Sequence, residues 1–193
     1  PLEPVGAGSK RGIGHPVAAD RLELSAFAGI VDYTPAELVL TAQAATPLTD
    51  VTAELEARGQ RLAFEPPDFS LLLGGPPARQ TLGGIVAANL SGSRRICAGA
   101  ARDHFLGFRA VAGSGQAFKA GGRVVKNVTG YDLSKLVTGA FGTLCVLTDL
   151  TIKVLPRGEK TRTVLLYAQE GGEAIAALAE ALNSPHELSA AAH

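Results

Sequence analysis

Apolar and polar positions follow two different periods along this chain, and the changes of period mark its elements. Arg21-Leu22-Glu23-Leu24-Ser25 alternates with period two, the mark of a half-buried strand. Glu37 to Gln43 is a run of β-prone residues and reads as another strand. Leu48, Val51 and Leu55 then recur at helical spacing, which predicts a helix with Thr46 as N-cap, Pro47 as its first residue and Gly59 as its stop. Gln60 to Phe64 returns to a short strand. Phe105 to Val111, the turn Gly113-Ser114-Gly115 and the return over 116–120 read as a hairpin. With the β-rich stretch from Leu144 to Leu155 this hairpin predicts a mainly antiparallel sheet. Asp132 is placed to cap a helix carrying Leu133, Leu136 and Val137. Beyond Pro156, Thr161 to Ala168 is strand-like, and Gly172 to Leu182 is an Ala-rich helix broken at Ser184-Pro185.

Chain breakers divide this series. Glu65-Pro66-Pro67 and Gly74-Gly75-Pro76-Pro77 interrupt it, so units are expected over 1–64 and 65–156. Residues 157–193 read as the opening of a further, incomplete unit. With 193 residues and 46% hydrophobic content the chain can bury a core without staples. Lys plus Arg number 18 and Asp plus Glu 18, so no net field attracts a polyanion, and a nucleic-acid partner is not expected. Cys97 and Cys145 form no CxxC pair and have no histidine at metal-ligand spacing; they read as buried free thiols in a reducing, cytoplasmic compartment, and no metal site is expected. No apolar run reaches the 18 or so residues of a spanning helix. The chain starts at Pro1 and contains no Met, which fits a piece of a longer protein.

Glycine carries the candidate chemistry. Gly6, Gly8, Gly12 and Gly14 surround Lys10 and Arg11 in a loop whose backbone N–H groups could form a phosphate nest. Gly6-Ala7-Gly8 opens a dinucleotide fingerprint, but Arg11 stands at its last glycine, and the strand-like Arg21–Ser25 follows where a helix is required. The loop therefore reads as a connection between two strands. Thr81 to Gly92 is rich in small residues, and a helix beginning near Gly83 would turn unpaired N–H groups toward an anion. The third segment, Gly121 to Thr148, is basic and Gly-rich at its start and passes through Phe141-Gly142-Thr143 into strand. Each segment alone reads equally as ordinary turns. His15 and His104 read as structural or hydrogen-bonding groups, Arg94-Arg95 as an exposed pair, and no Ser-His-Asp or paired-carboxylate arrangement supports hydrolysis. No catalytic residue is nominated.

Six motifs in order give these segments a context. Gly8-Ser9-Lys10-Arg11-Gly12-Ile13-Gly14, Tyr33-Thr34-Pro35-Ala36-Glu37-Leu38, Thr81-Leu82-Gly83-Gly84-Ile85-Val86-Ala87-Ala88-Asn89, Arg102-Asp103-His104-Phe105-Leu106-Gly107, Lys126-Asn127-Val128-Thr129-Gly130-Tyr131-Asp132-Leu133 and Phe141-Gly142-Thr143-Leu144 resemble the FAD-binding module of the vanillyl-alcohol oxidase and p-cresol methylhydroxylase superfamily. Within it, the likeness is to the FAD-binding subunits of bacterial glycolate oxidases, over about residues 1–156.

The resemblance implies a PCMH-type α+β fold. Two subdomains, 1–64 and 65–156, clasp FAD with a small mixed sheet and a larger, mainly antiparallel sheet flanked by helices. Residues 157–193 begin a truncated cap domain. It also implies that Gly6, Ala7, Gly8, Ser9, Lys10 and Arg11 wrap the pyrophosphate, faced by Thr81, Gly83, Gly84 and Asn89. Gly142 and Val146 would line the adenine side, and Gly99 and Asp103 would be outlying members of the pocket. Lys126 and Asn127 would approach the flavin ring, where a cation near the N1–C2=O edge stabilises the anionic reduced form. Cys145 departs from the family's glycine. Ser9 stands where relatives with covalent FAD carry His, so the FAD is expected to be non-covalent.

The implied function is FAD-dependent oxidation of a small 2-hydroxy acid, glycolate in the nearest likeness. The implied partners are a second flavoprotein and an iron–sulfur subunit, with membrane association only through them. An FAD-binding or electron-transfer module inactive without partners, or a same-fold oxidoreductase with another substrate, remain the other readings.

Overall fold

A computed structural model describes residues 1–15, 18–77, 79–123, 130–167, 170–186 and 188–193. β1 (Leu2–Val5) and β2 (Asp20–Glu23) pair in parallel, Leu2 opposite Asp20 and Val5 opposite Glu23. Parallel pairing obliges the intervening chain to cross back over the pair, so the Gly-rich loop is that crossover, between two strands as its context requires. β3 (Ile30–Thr34) runs into one 3-10 turn over Pro35–Glu37, and β4 (Val39–Gln43) follows. The strand starts two residues later than the pattern predicts. Pro35 holds a helical φ, and Leu38, at φ 58, ends the turn in the left-handed region.

α1 (Leu48–Glu56) turns Val51 and Leu55 fully into the core, and Gly59 at φ 64 ends it. Its cap is Pro47, not Thr46. Thr46 is buried and spends its Oγ1 elsewhere, donating to the Gln43 carbonyl at 2.7 Å and accepting from the Gly29 N–H at 2.9 Å. β5 (Gln60–Arg61) is shorter than the expected 60–64 strand. α2 (Leu82–Ala87), α3 (Arg95–Ala98) and α4 (Ala101–His104) are short helices. β6 (Phe105–Ala112) and β7 (Ala117–Gly121) form the expected hairpin, closed by the Gly115 N–H on the Ala112 carbonyl at 2.8 Å. α5 (Leu133–Val137) is capped by Asp132, whose carboxylate accepts from the Lys135 N–H at 3.1 Å. β8 (Cys145–Lys153), β9 (Leu155–Pro156) and α6 (Gly171–Leu182) follow.

A five-stranded sheet in the order β3-β4-β8-β6-β7 is antiparallel throughout. β8 is its centre, paired to β4 with Val39 opposite Lys153 and to β6 with Ala112 opposite Cys145. The sheet therefore draws strands from both sides of Glu65-Pro66-Pro67. Two small sheets, β1-β2 and β5-β9, complete the α+β architecture. One core cluster joins Leu40 of β4, Val51 and Leu55 of α1, Leu82 and Ile85 of α2, and Leu150 and Ile152 of β8. Each such side chain contributes about 1.5–3 kcal/mol through burial, and this fixes α2 against the sheet.

Two further expectations fail. Residues 161–167 form no strand, and Val164 and Leu165 are exposed; among the described residues no strand lies beside them, and an extended segment without a ladder is not stable as a strand. Cys145 is buried but Cys97 is exposed, because α3 buries none of its residues; both thiols are free. Among the described residues no helix is long and apolar enough to cross a membrane.

Candidate functional site

Three segments distant in sequence line one cleft: Gly6 of the crossover loop, Thr81, Gly83 and Gly84 at the start of α2, and residues 140–142 and 144–147 leading into β8. Each junction depends on a missing side chain. A Cβ on Gly6 would stand 2.9 Å from Thr81 Oγ1, so glycine lets the crossover loop lie directly on the cap of α2. A Cβ on Gly83 would stand 2.7 Å from the Ala44 carbonyl oxygen and 2.8 Å from Ala44 Cβ. Gly83 thus serves the approach of helix to strand. A Cβ on Gly84 would meet Thr81 Oγ1 at 3.2 Å and Lys10 Nζ at 3.5 Å, which puts the Lys10 ammonium over the first turn of α2.

Lys10 is the cation of this junction. Its Nζ donates to Ser9 Oγ at 3.3 Å and to Gln80 Oε1 at 3.4 Å. Burial pushes its pKa below the ordinary lysine value, with the charge of Asp68 opposing. Arg11 plays a different part. Its guanidinium makes a two-pronged ion pair with Glu3, both bonds 2.9 Å, which holds the Glu3 carboxyl below its usual pKa.

The N–H groups divide unexpectedly. In α2 none of the first four is free: Leu82 donates to the Thr46 carbonyl, Gly83 to the Ala44 carbonyl at 2.7 Å, Gly84 to Thr81 Oγ1 and Ile85 to the Thr81 carbonyl. The expectation of unpaired donors at this helix start fails because β4's end and the Thr81 cap satisfy them. In the crossover loop the N–H groups of Gly6, Ala7, Gly8, Ser9 and Lys10 make no hydrogen bond to a described residue, while Arg11 and Ile13 close turns on Gly8 and Lys10. Gly8 at φ 71 supplies the left-handed residue of that arrangement.

The far wall is built from the loop that caps the other end of α2. Gly139 and Phe141 donate their N–H groups to the Val86 and Ala87 carbonyls at 3.2 and 2.9 Å. Gly142 lies against Pro4 of β1, and Cys145, Val146 and Leu147 continue the wall into β8. Burial raises the Cys145 thiol pKa. Pro4, Leu24, Ala44, Ala45, Phe141 and Leu144 also line the cleft. Sequence reasoning placed Phe141 and Leu144 in a motif but nominated none of these six for the site, since an apolar side chain carries no chemical signature.

Other nominated residues lie elsewhere. Asn89 closes α2: at φ 50, it and Leu90 return their N–H groups to Val86 and Ile85, a Schellman ending, and its Oδ1 accepts from the Arg102 N–H at 3.2 Å. Asp103 accepts from the Ala100 N–H at 2.8 Å, and Gly99, at φ 85, leaves room for that carboxylate. None of these three lines the cleft. His104 is buried, hydrogen-bonded to the Ala98 carbonyl at 2.7 Å and close to the Phe64 ring. Arg94 is withdrawn beside Glu65 instead of standing exposed, whereas Arg95 is exposed. Lys126 and Asn127 lie outside the described residues.

A family model described as FAD binding domain matches residues 1–121. The chain is 45% identical over 157 residues to glycolate oxidase subunit GlcE of Escherichia coli (strain K12), covering 81% of this chain and 43% of the relative. It is 32% identical over 136 residues to glycolate oxidase subunit GlcD of Bacillus subtilis (strain 168), covering 70% and 27%. A solved alkyldihydroxyacetonephosphate synthase superposes with a TM-score of 0.63 at 22% identity, over 80% of this chain and 27% of that one, a likeness of fold. The chain spans less than half the length of these curated relatives.

Proposed function

The chain belongs to the FAD-binding domain family, and we propose that it is the FAD-binding part of a glycolate-oxidising flavoprotein subunit of the GlcE kind, working with a second flavoprotein and an iron–sulfur subunit. The observation that carries this reading is the meeting of the crossover loop with the cap of α2 under Lys10. Its residues fit a dinucleotide. Five N–H groups without a described partner, beside one cation, suit the two charges of a pyrophosphate. The apolar wall at the other end of α2 suits a ring.

The roles divide accordingly. Gly6, Ala7, Gly8, Ser9 and Lys10 bind the pyrophosphate, the first four through backbone N–H groups and Lys10 through its ammonium. Thr81 and Gly83 hold α2 against loop and strand, and Gly84 keeps the space beneath Lys10 open. Gly142 and Val146 form the adenine side, while Asn89, Gly99 and Asp103 shape turns at the end of α2 and the start of α4. Lys126 and Asn127 serve the ring through charge and hydrogen bonding. Ser9 offers no imidazole for attachment, so FAD is held without a covalent bond. When bound, FAD supplies the acceptor for the two electrons removed from the hydroxyl-bearing carbon of glycolate.

The 45% identity to GlcE supports glycolate as the substrate class. Reconstitution with FAD and partner subunits, followed by anaerobic addition of glycolate, tests the whole reading. Bleaching of the flavin band is the expected result; an unbleached band in the complete assembly would refute glycolate oxidation.

A further inference from the structure

Phe141 has two features that the fold itself does not explain. Its φ is 51, inside the left-handed region, where a bulky side chain is an outlier. The residue is 54% exposed, so core packing does not account for it. The same loop uses glycine at the two other left-handed positions, Gly139 at φ 82 and Gly142 at φ 76. Glycine at 141 would hold the turn without strain, since the contact that fixes the residue is its backbone N–H on the Ala87 carbonyl. Strain retained at an exposed aromatic residue on a cleft points to a ligand.

The two ends of α2 differ chemically. Lys10, Gln80 and Thr81 gather at the start of α2, and Phe141 sits at its other end, against the last carbonyl of the helix. Six residues of helix separate these ends by about 9 Å. Around Phe141 the lining residues are Pro4, Ala140, Gly142 and Leu144, which offer no charged group and no side-chain hydrogen-bonding group. Such a wall suits a flat, apolar-faced ring that needs only burial. A redox-active ring also needs access for substrate and polar groups for its changing charge.

Resting on the FAD-binding reading, we infer that Phe141 is a stacking platform for the adenine ring of FAD, fixing the nucleotide's far end while Lys10 and the crossover loop hold the pyrophosphate. Phe141 lines the cleft, and its left-handed backbone is kept at some cost to the stability of the free protein.

The test compares the chain with its Phe141→Gly, Phe141→Leu and Phe141→Tyr variants, measuring dissociation constants for FAD and for ADP by calorimetry, with thermal melts of the ligand-free proteins. Phe141→Gly is expected to weaken both ligands about five-fold or more, the scale of losing one base–aromatic stack, while its melting midpoint stays level or rises as strain is relieved. Phe141→Tyr keeps wild-type affinity. Phe141→Leu keeps a side chain and lacks the aromatic face, so it weakens both ligands even if the glycine variant fails to fold. Unchanged affinity for FAD and ADP in the glycine or leucine variant overturns the inference. Loss confined to FAD also overturns it, because Phe141 would then touch the isoalloxazine. Failure of the wild-type chain to take up FAD at all overturns the underlying reading and the inference with it.

Discussion

Replacing Gly83 with alanine tests how the cleft is built. The new Cβ would stand 2.7 Å from the Ala44 carbonyl oxygen, 2.8 Å from Ala44 Cβ and 3.1 Å from its Cα. All three neighbours are backbone or Cβ atoms and cannot rotate away. Ala44 is itself tied to β8 through its N–H on the Thr148 carbonyl at 2.8 Å, so α2 must move. Its movement would disturb the burial of Leu82, Ile85 and Val86, all fully enclosed. Overpacking of this kind costs about 1–3 kcal/mol, offset by at most about 1 kcal/mol from alanine's helix propensity. A net loss of about 1–2 kcal/mol corresponds to a fall of roughly 2–8 °C in Tm for a chain of this size. Gly84→Ala is the control: its nearest neighbours are the cap atom Thr81 Oγ1 at 3.2 Å and the mobile Lys10 Nζ at 3.5 Å, looser contacts than at Gly83, so alanine's helix propensity offsets the crowding and stability should change by no more than about 0.5 kcal/mol while FAD affinity falls. Urea denaturation followed by circular dichroism reads both. If Gly83→Ala is as stable as wild type and Gly84→Ala is not, the assignment of Gly83 to packing and Gly84 to the site is wrong.

The remaining predictions concern caps, charge and thiols. Asn89→Ala should lose about 1–2 kcal/mol, from the α4 cap and from the left-handed φ together, and Asn89→Gly only the cap's share of about 1 kcal/mol; equal losses in melts would contradict the Schellman assignment. Arg11→Ala should weaken FAD less than Lys10→Ala does, because Glu3 already occupies the guanidinium; titrations giving the reverse order would contradict it. Lys10 has a folded-state pKa below the ordinary 10.5. As pH rises through that folded value the ammonium is lost first in the folded protein, so FAD affinity should fall at a pH below 10.5, and Lys10→Arg should abolish the fall. By the same linkage the ligand-free protein gains stability with rising pH in this window, since the unfolded chain binds more protons there. A thiol reagent should label exposed Cys97 quickly and buried Cys145 only slowly; equal rates would refute the burial of β8's first residue.

Local chemistry made much of this legible from the chain alone. The crossover loop could be read because its fingerprint failed at Arg11 and a strand followed, and the β6–β7 hairpin because Gly113-Ser114-Gly115 separates two β-prone runs. Asp132 was readable as a cap since its partner is three residues away. What escaped depends on distant residues. Val39 pairs with Lys153, and nothing near either strand specifies that neighbour. Thr46 has a good capping pattern, but Gly29 competes for its hydroxyl. Gly83 lines the cleft, yet its packing role was not readable, because a missing Cβ reads the same whether a phosphate or the Ala44 carbonyl needs the space. Arg11 looked like a second phosphate cation because its tie to Glu3 depends on the loop folding back along β1.

FAD titration of the chain beside its Lys10→Ala variant, followed by quenching of flavin fluorescence, tests the central claim most directly. Saturable binding is expected in the wild type, released as free FAD on denaturation. The variant should bind about 10-fold or more weakly, the scale of one charged hydrogen bond to phosphate. Binding of equal strength in both proteins, or none in the wild type, would contradict the crossover loop and Lys10 as the pyrophosphate site.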